Sequence, residues 1–120
     1  MADNVLLELD RRGIATLTLN RPEVHNAFDA ALVQRLTELL VAIKERGDAR
    51  AVVLTGAGRS FSAGADLNWM RAMAACTEEE NFEDALQLAD LMALLNSMPL
   101  PTVARVNGHA YGGGVGLLAC

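Results

Sequence analysis

The chain has 120 residues, 52% of them hydrophobic, and a net charge of −5. That length and apolar content suit one globular domain, or part of one, with a single core, and exclude a disordered chain. Lys and Arg are scattered along an acidic sequence of pI near 4.9, which excludes the concentrated positive face that nucleic acid needs and leaves small molecules or proteins as partners. In chain order, Val5 to Asp10 and Ile14 to Leu19 are β-rich runs on either side of Arg11-Arg12-Gly13. They predict an antiparallel hairpin with glycine at positive φ. Asp29 is a helix N-cap, and Leu32, Leu36, Leu39, Leu40 and Ile43 follow at helical spacing up to Gly47 as a core-facing stripe.

Ala51 to Leu54 and Thr102 to Val106 are short apolar runs without alternation, which predicts strands buried on both faces. Between them Thr77 and Glu80 form a capping box, and Phe82, Ala85, Leu88, Ala89, Met92 and Leu95 supply an apolar helical face that Pro99 ends. The order implies an α/β chain with parallel strands joined by crossovers. Two small-residue loops remain, Gly56 to Asp66 and Asn107 to Gly114, each placed after a buried strand and before a helix.

The N-terminus MADNVLLELD lacks a basic segment followed by an apolar run, so neither a signal nor a transit peptide is expected and a cytoplasmic location follows by default. Val106 to Cys120 is uncharged but shorter than the ~20 residues of a membrane helix. It is expected to lie buried in protein, with no membrane contact. The sequence stops at GLLAC without a C-cap glycine or a polar tail, so a missing C-terminal half is expected. Cys76 and Cys120 show neither CxxC nor Cys/His spacing and read as buried reduced thiols, not as metal ligands.

In open α/β sheets ligands bind beyond the carboxyl ends of strands, where helix N-termini present unpaired N–H groups. Ala63-Gly64-Ala65 and Gly112-Gly113-Gly114 are bare enough for a ligand to approach the main chain, and each could give backbone donors to one anionic oxygen, an oxyanion hole. The bland alternative is that the glycines only allow tight turns and close helix packing. Phosphate binding is the other competitor. A dinucleotide turn starting at Gly56 or Gly112 would need a small residue at Phe61 or Leu117, and no Gly-Lys-Ser/Thr follows either loop.

Proton carriers are harder to find. Asp66 directly follows Ala65, and a carboxylate aimed at an oxyanion would oppose it, so Asp66 reads as the cap of a helix starting near Leu67. His25 and His109 are the two candidate proton carriers of imidazole type but read as hydrogen-bonded loop residues. Trp69, Met70 and Met73 are either one wall of an acyl pocket or plain core. Glu78, Glu79 and Glu80 complement a helix N-terminus.

Three segments carry a family resemblance: NRPEVHNAF (Asn20 to Phe28), VVLTGAGRSFSAGADL (Val52 to Leu67) and VNGHAYGGGVGLLAC (Val106 to Cys120). In order and spacing they resemble the crotonase, or enoyl-CoA hydratase/isomerase, superfamily. The resemblance implies a spiral ββα fold, of which residues 1–120 would be the N-terminal part of a single domain. It also implies assembly as trimers or dimers of trimers. The substrates would be acyl-CoA thioesters, with coenzyme A entering as part of the substrate and no metal or redox cofactor. By that similarity the N–H groups of Ala65 and Gly113 hold the thioester carbonyl, and Val24, Ala63, Asp66, Leu67 and Asn68 contact the substrate.

Two departures stand out. Many relatives have lysine where this chain has Glu23. Two-glutamate hydratases have glutamate at the position of Gly116, and their second glutamate falls beyond Cys120. FSAGADLNWM with GHAYGGGVGLLAC is most similar to the methylglutaconyl-CoA and carboxygeranoyl-CoA hydratase branch, which serves leucine and acyclic terpene breakdown. The expected reaction is hydration of an α,β-unsaturated acyl-CoA such as 3-methylglutaconyl-CoA. The alternatives are Δ3,Δ2-enoyl-CoA isomerisation or a truncated, non-catalytic fragment that binds acyl-CoA or assembles.

Overall fold

The computed structural model describes residues 3–120. Strands β1 (Val5–Leu9) and β2 (Ile14–Leu19) form the predicted hairpin, with Val5 opposite Leu19. Gly13 sits at φ 83°, and Asp10 closes the turn by accepting the N–H groups of Arg12 and Ile14. A 3-10 turn at Pro22–Val24 follows, then α1 (Ala30–Arg46), β3 (Ala51–Gly56), β4 (Ser60–Ser62), α2 (Leu67–Ala74), α3 (Glu78–Asn96), β5 (Thr102–Ala104), β6 (His109–Ala110) and α4 (Gly113–Ala119).

The main sheet has the order β1-β2-β3-β5, in which β2, β3 and β5 run parallel. Strands β4 and β6 make a separate parallel pair. Both expected loops therefore contain a strand. Ser60-Phe61-Ser62 and His109-Ala110 are too short and too poor in β-branched residues to signal one. The pair they form hangs the two glycine-containing segments side by side.

Alternation on β2 buries Ala15, Leu17 and Leu19, and α1 buries Leu32, Val33, Leu36, Leu39, Leu40 and Ile43. Asp29 caps α1 through the Leu32 N–H at 2.8 Å, and Gly47 ends it at φ 73°. Each fully buried leucine contributes about 1.5–3 kcal/mol of transfer free energy. Phe28, Phe61, Leu91, Leu95 and Leu117 join the same core.

Three burial expectations change. On α3 the core contacts begin at Leu88 and run through Leu91, Met92 and Leu95, whereas Phe82 is 66% exposed and Ala85 and Ala89 also face out. The register of burial is set by the C-terminal part of the helix, where α3 meets α1 and α4. Among the described residues β5 pairs only with β3, at the edge of the sheet, and Val103 is exposed instead of buried on both faces. Within Val106 to Cys120 only Gly114 and Leu117 are buried, and Val106, Tyr111 and Val115 are exposed. No helix among the described residues is long and apolar enough to cross a membrane.

Candidate functional site

The segment Asn20 to Phe28 leaves β2, makes the Pro22–Val24 turn and returns through His25 and Asn26, both at positive φ (54° and 56°). Asn26 is fully buried and holds this return in place. Its Oδ1 accepts the Arg21 N–H at 2.8 Å, and its Nδ2 donates to the Ala57 and Ser60 carbonyls at 2.9 and 2.8 Å. Ser62 Oγ donates to the Asn26 carbonyl and accepts the Gly64 N–H. The loop entering α2 is thus fastened before its last residues.

Phe28 then pairs with Ala65 in a short parallel bridge. The Phe28 N–H donates to the Gly64 carbonyl at 2.6 Å, and the Asp66 N–H donates to the Phe28 carbonyl at 2.7 Å. Successive peptides of an extended chain point to opposite sides, so the Ala65 N–H is turned away from Phe28. Among the described residues neither the Ala65 N–H nor the Gly113 N–H has a protein acceptor.

Gly64 brings the two segments together. It sits at φ 88°, and a Cβ there would lie 2.9 Å from the Tyr111 carbonyl oxygen and 3.2 Å from the Gly113 nitrogen. Gly112, at φ 51°, turns the chain into α4, so Gly113 opens that helix at a position where the N–H has no intrahelical acceptor. The Tyr111 N–H to Ser62 carbonyl bond, at 2.9 Å, ties the second segment to β4. Glycine is required here by close backbone approach and by φ, beyond ordinary turning.

A cleft of about 520 Å³ opens beside this junction, lined by Val24, His25, Ala27, Ala63, Ala65, Asp66, Leu67, Asn68 and Arg71. The structure gathers all the predicted contact residues on the first loop with Val24 into one cavity. Gly113 lies outside that lining, against Gly64, the residue before Ala65. Leu67 is 68% exposed at the cleft. His25, Ala27 and Arg71 are added to the lining. Arg71 follows Leu67 and Asn68 by one helical turn on α2, a spacing visible in the sequence once α2 is placed.

Asp66 is the cap of α2, as expected. Its Oδ1 accepts the Asn68 and Trp69 N–H groups at 2.8 and 3.0 Å, and Arg21 Nη2 lies 3.3 Å from its Oδ2. The Trp69 N–H above all, then the Asn68 N–H and the Arg21 charge, hold its carboxyl below the ordinary carboxylate range against the opposing effect of burial. It stays ionised and is spent on the helix.

His25 Nδ1 lies 3.0 Å from Ser60 Oγ, and His109 stacks on Tyr111 with ring centroids 5.8 Å apart. Trp69 packs against the core, whereas Met70 is 51% exposed, and neither of them nor Met73 lines the cleft. Gly116 faces α3, where a Cβ would meet Met92 Cε at 3.1 Å. Cys76 and Cys120 are free thiols, and burial together with Glu80 and Asp84 pushes the Cys76 thiol up.

The enoyl-CoA hydratase/isomerase family model matches residues 10–120. A Thermus thermophilus protein assigned as an enoyl-CoA hydratase is 39% identical over 116 residues, covering 96% of this chain and 46% of its own length. The crystal structure of an enoyl-CoA hydratase from Shewanella pealeana superposes with a TM-score of 0.92 at 39% identity, over 96% of this chain and 43% of that one. A Legionella pneumophila structure described as an enoyl-CoA hydratase/isomerase, or crotonase, gives a TM-score of 0.90 at 45% identity, over 95% of this chain and 44% of that one. The chain thus spans less than half the length of these relatives. With its α/β architecture, its crotonase-like fold and a match over nearly all its residues, the chain belongs to the enoyl-CoA hydratase/isomerase family.

Proposed function

We propose that the protein to which this chain belongs hydrates an α,β-unsaturated acyl-CoA, with the thioester carbonyl held by the Ala65 and Gly113 N–H groups. The observation that carries this reading is the pair of unpaired N–H groups, one in a segment pinned by Phe28 and one at the start of α4, brought together by Gly64. Donors fixed in advance stabilise the negative charge that moves onto the carbonyl oxygen when water adds at the β-carbon. Val24, Ala63, Asp66, Leu67 and Asn68 contact the acyl-CoA along the cleft. Coenzyme A is part of the substrate, and the reaction needs no metal or redox cofactor.

The proton transfers fall to groups elsewhere in the whole protein. Asp66 is committed to α2, and Gly116 brings no carboxylate. That same glycine favours one second reading, Δ3,Δ2-enoyl-CoA isomerisation by a single carboxylate. The resemblance of FSAGADLNWM and GHAYGGGVGLLAC favours a branched dicarboxylic substrate such as 3-methylglutaconyl-CoA, and the resemblance to the family as a whole favours assembly as a trimer or a dimer of trimers. The test is paired assays on the whole protein: loss of conjugated enoyl-thioester absorbance on hydration, and its gain from a Δ3-enoyl-CoA. Hydration without isomerisation supports the first reading, the reverse supports the second, and turnover in neither assay leaves a binding or assembly role.

A further inference from the structure

Asp66 places a full negative charge one residue from the Ala65 N–H, in a site expected to hold a developing oxyanion. An uncompensated carboxylate there would raise the energy of the enolate it adjoins. Asp66 is 7% exposed, so water screens it little.

Arg21 meets that charge. Its Nη2 lies 3.3 Å from Asp66 Oδ2, and its Nη1 donates to the Ala27 carbonyl at 2.6 Å and lies 3.5 Å from Asp29 Oδ2. One guanidinium therefore spans the N-caps of α1 and α2 and the peptide just before Phe28. The Arg21 backbone is fixed as well, because its N–H donates to buried Asn26. A planar fork suits this three-way contact, whereas a lysine could offer only a point charge.

We propose that Arg21 is a positioning residue of the acyl-CoA site. It neutralises Asp66 and holds it on the α2 N-terminus, so that the Ala65 N–H polarises the thioester carbonyl without an opposing charge. This rests on the oxyanion role proposed above for Ala65 and Gly113.

The experiment uses the whole protein and a cinnamoyl-type acyl-CoA, whose absorption moves to the red when its carbonyl is polarised. The wild type is expected to shift it; no shift would overturn the oxyanion reading itself, and Arg21's role with it. Given a wild-type shift, Arg21→Met is expected to lose more than half of it and about tenfold in kcat, while Kd stays within about threefold. Arg21→Met/Asp66→Asn is expected to recover the shift, since the charge needing an answer is gone and Asn still caps. A full shift in Arg21→Met, or no recovery in the double variant, overturns the proposal. Should Arg21→Met fail to fold, Asp66→Asn alone decides. It is expected to enlarge the shift, and an equal or smaller one overturns the proposal.

Discussion

A Cβ added to Gly113 would stand 2.8 Å from Cε2 and 3.2 Å from Cδ2 of Phe28, whose ring is fully buried. The ring has little room to retreat, because it is packed in the core and the Phe28 backbone is hydrogen-bonded to both Gly64 and Asp66. Gly113→Ala is therefore expected to push the first turn of α4 off the ring and displace the Gly113 N–H. In the whole protein kcat/KM should fall by about 10² to 10³, with an overpacking cost of about 1–3 kcal/mol. Phe28→Leu in the same chain should restore part of the activity, and steady-state kinetics on both variants check this. Wild-type kinetics in Gly113→Ala would sink it.

Gly64 and Gly47 both lie at positive φ, but their surroundings differ. A Cβ at Gly64 meets the Tyr111 carbonyl oxygen at 2.9 Å, and one at Gly47 meets nothing within 4 Å. Gly47→Ala should cost only the left-handed backbone penalty, about 1 kcal/mol. Gly64→Ala should cost at least about 2 kcal/mol more, because backbone cannot move aside as a side-chain end can. Urea unfolding of the two variants measures the difference. Equal losses would refute the close packing of the two segments.

The Asp66 cap makes stability depend on pH with a definite sign. Its folded carboxyl titrates below the unfolded value, so its contribution is present above the unfolded range near 3.9 and is lost as pH falls through the folded value. Asn at this position keeps the cap and removes the titration. The stability advantage of wild type over Asp66→Asn should be constant above about pH 5 and shrink below about pH 4. Chemical unfolding across this range tests it; an advantage unchanged to about pH 3 would be inconsistent with a depressed carboxyl.

Two α4 glycines should respond in opposite ways to alanine. At Gly116 the neighbour is the flexible Met92 methyl at 3.1 Å, whereas at Gly114 it is the Ser62 carbonyl oxygen at 2.6 Å. Replacing a helical glycine by alanine gains up to about 1 kcal/mol in propensity. Gly116→Ala should leave stability within about 0.5 kcal/mol of wild type or above it, and Gly114→Ala should lose more than about 2 kcal/mol. Thermal unfolding of the two variants decides, and a large loss at Gly116 would show that Met92 is wedged.

Periodicity and caps made most of the fold readable. The hairpin around Gly13, the α1 stripe from Leu32 to Ile43 and the Thr77 capping box follow from side-chain spacing and local hydrogen bonds, which a sequence carries directly. Strands β4 and β6 were not readable, because each is held by its partner and by Asn26, Ser62 and Asn107 instead of by its own propensity. The outward turn of Phe82 escaped the same way, since the burial register of α3 is set by distant packing. At the site, the bareness around Ala65 and Gly113 pointed to backbone donors. What joins them did not show: Arg21, Asn26 and Phe28 act through contacts tens of residues away, and Gly64 matters for what a side chain would strike in another segment.

The bridge between Phe28 and Ala65 also bears on when the work of ordering is done. The Gly64 carbonyl and the Asp66 N–H both face Phe28, so the direction of the peptide between them is set by the fold itself. Under the role proposed for Ala65, a thioester arriving there need not rearrange the main chain that would receive its carbonyl, and the entropy of setting that direction is lost once, during folding. Amide exchange should register the contrast. The Phe28 and Asp66 N–H groups should be slow because both are bonded, and the Ala65 N–H between them should exchange fast until a ligand covers it.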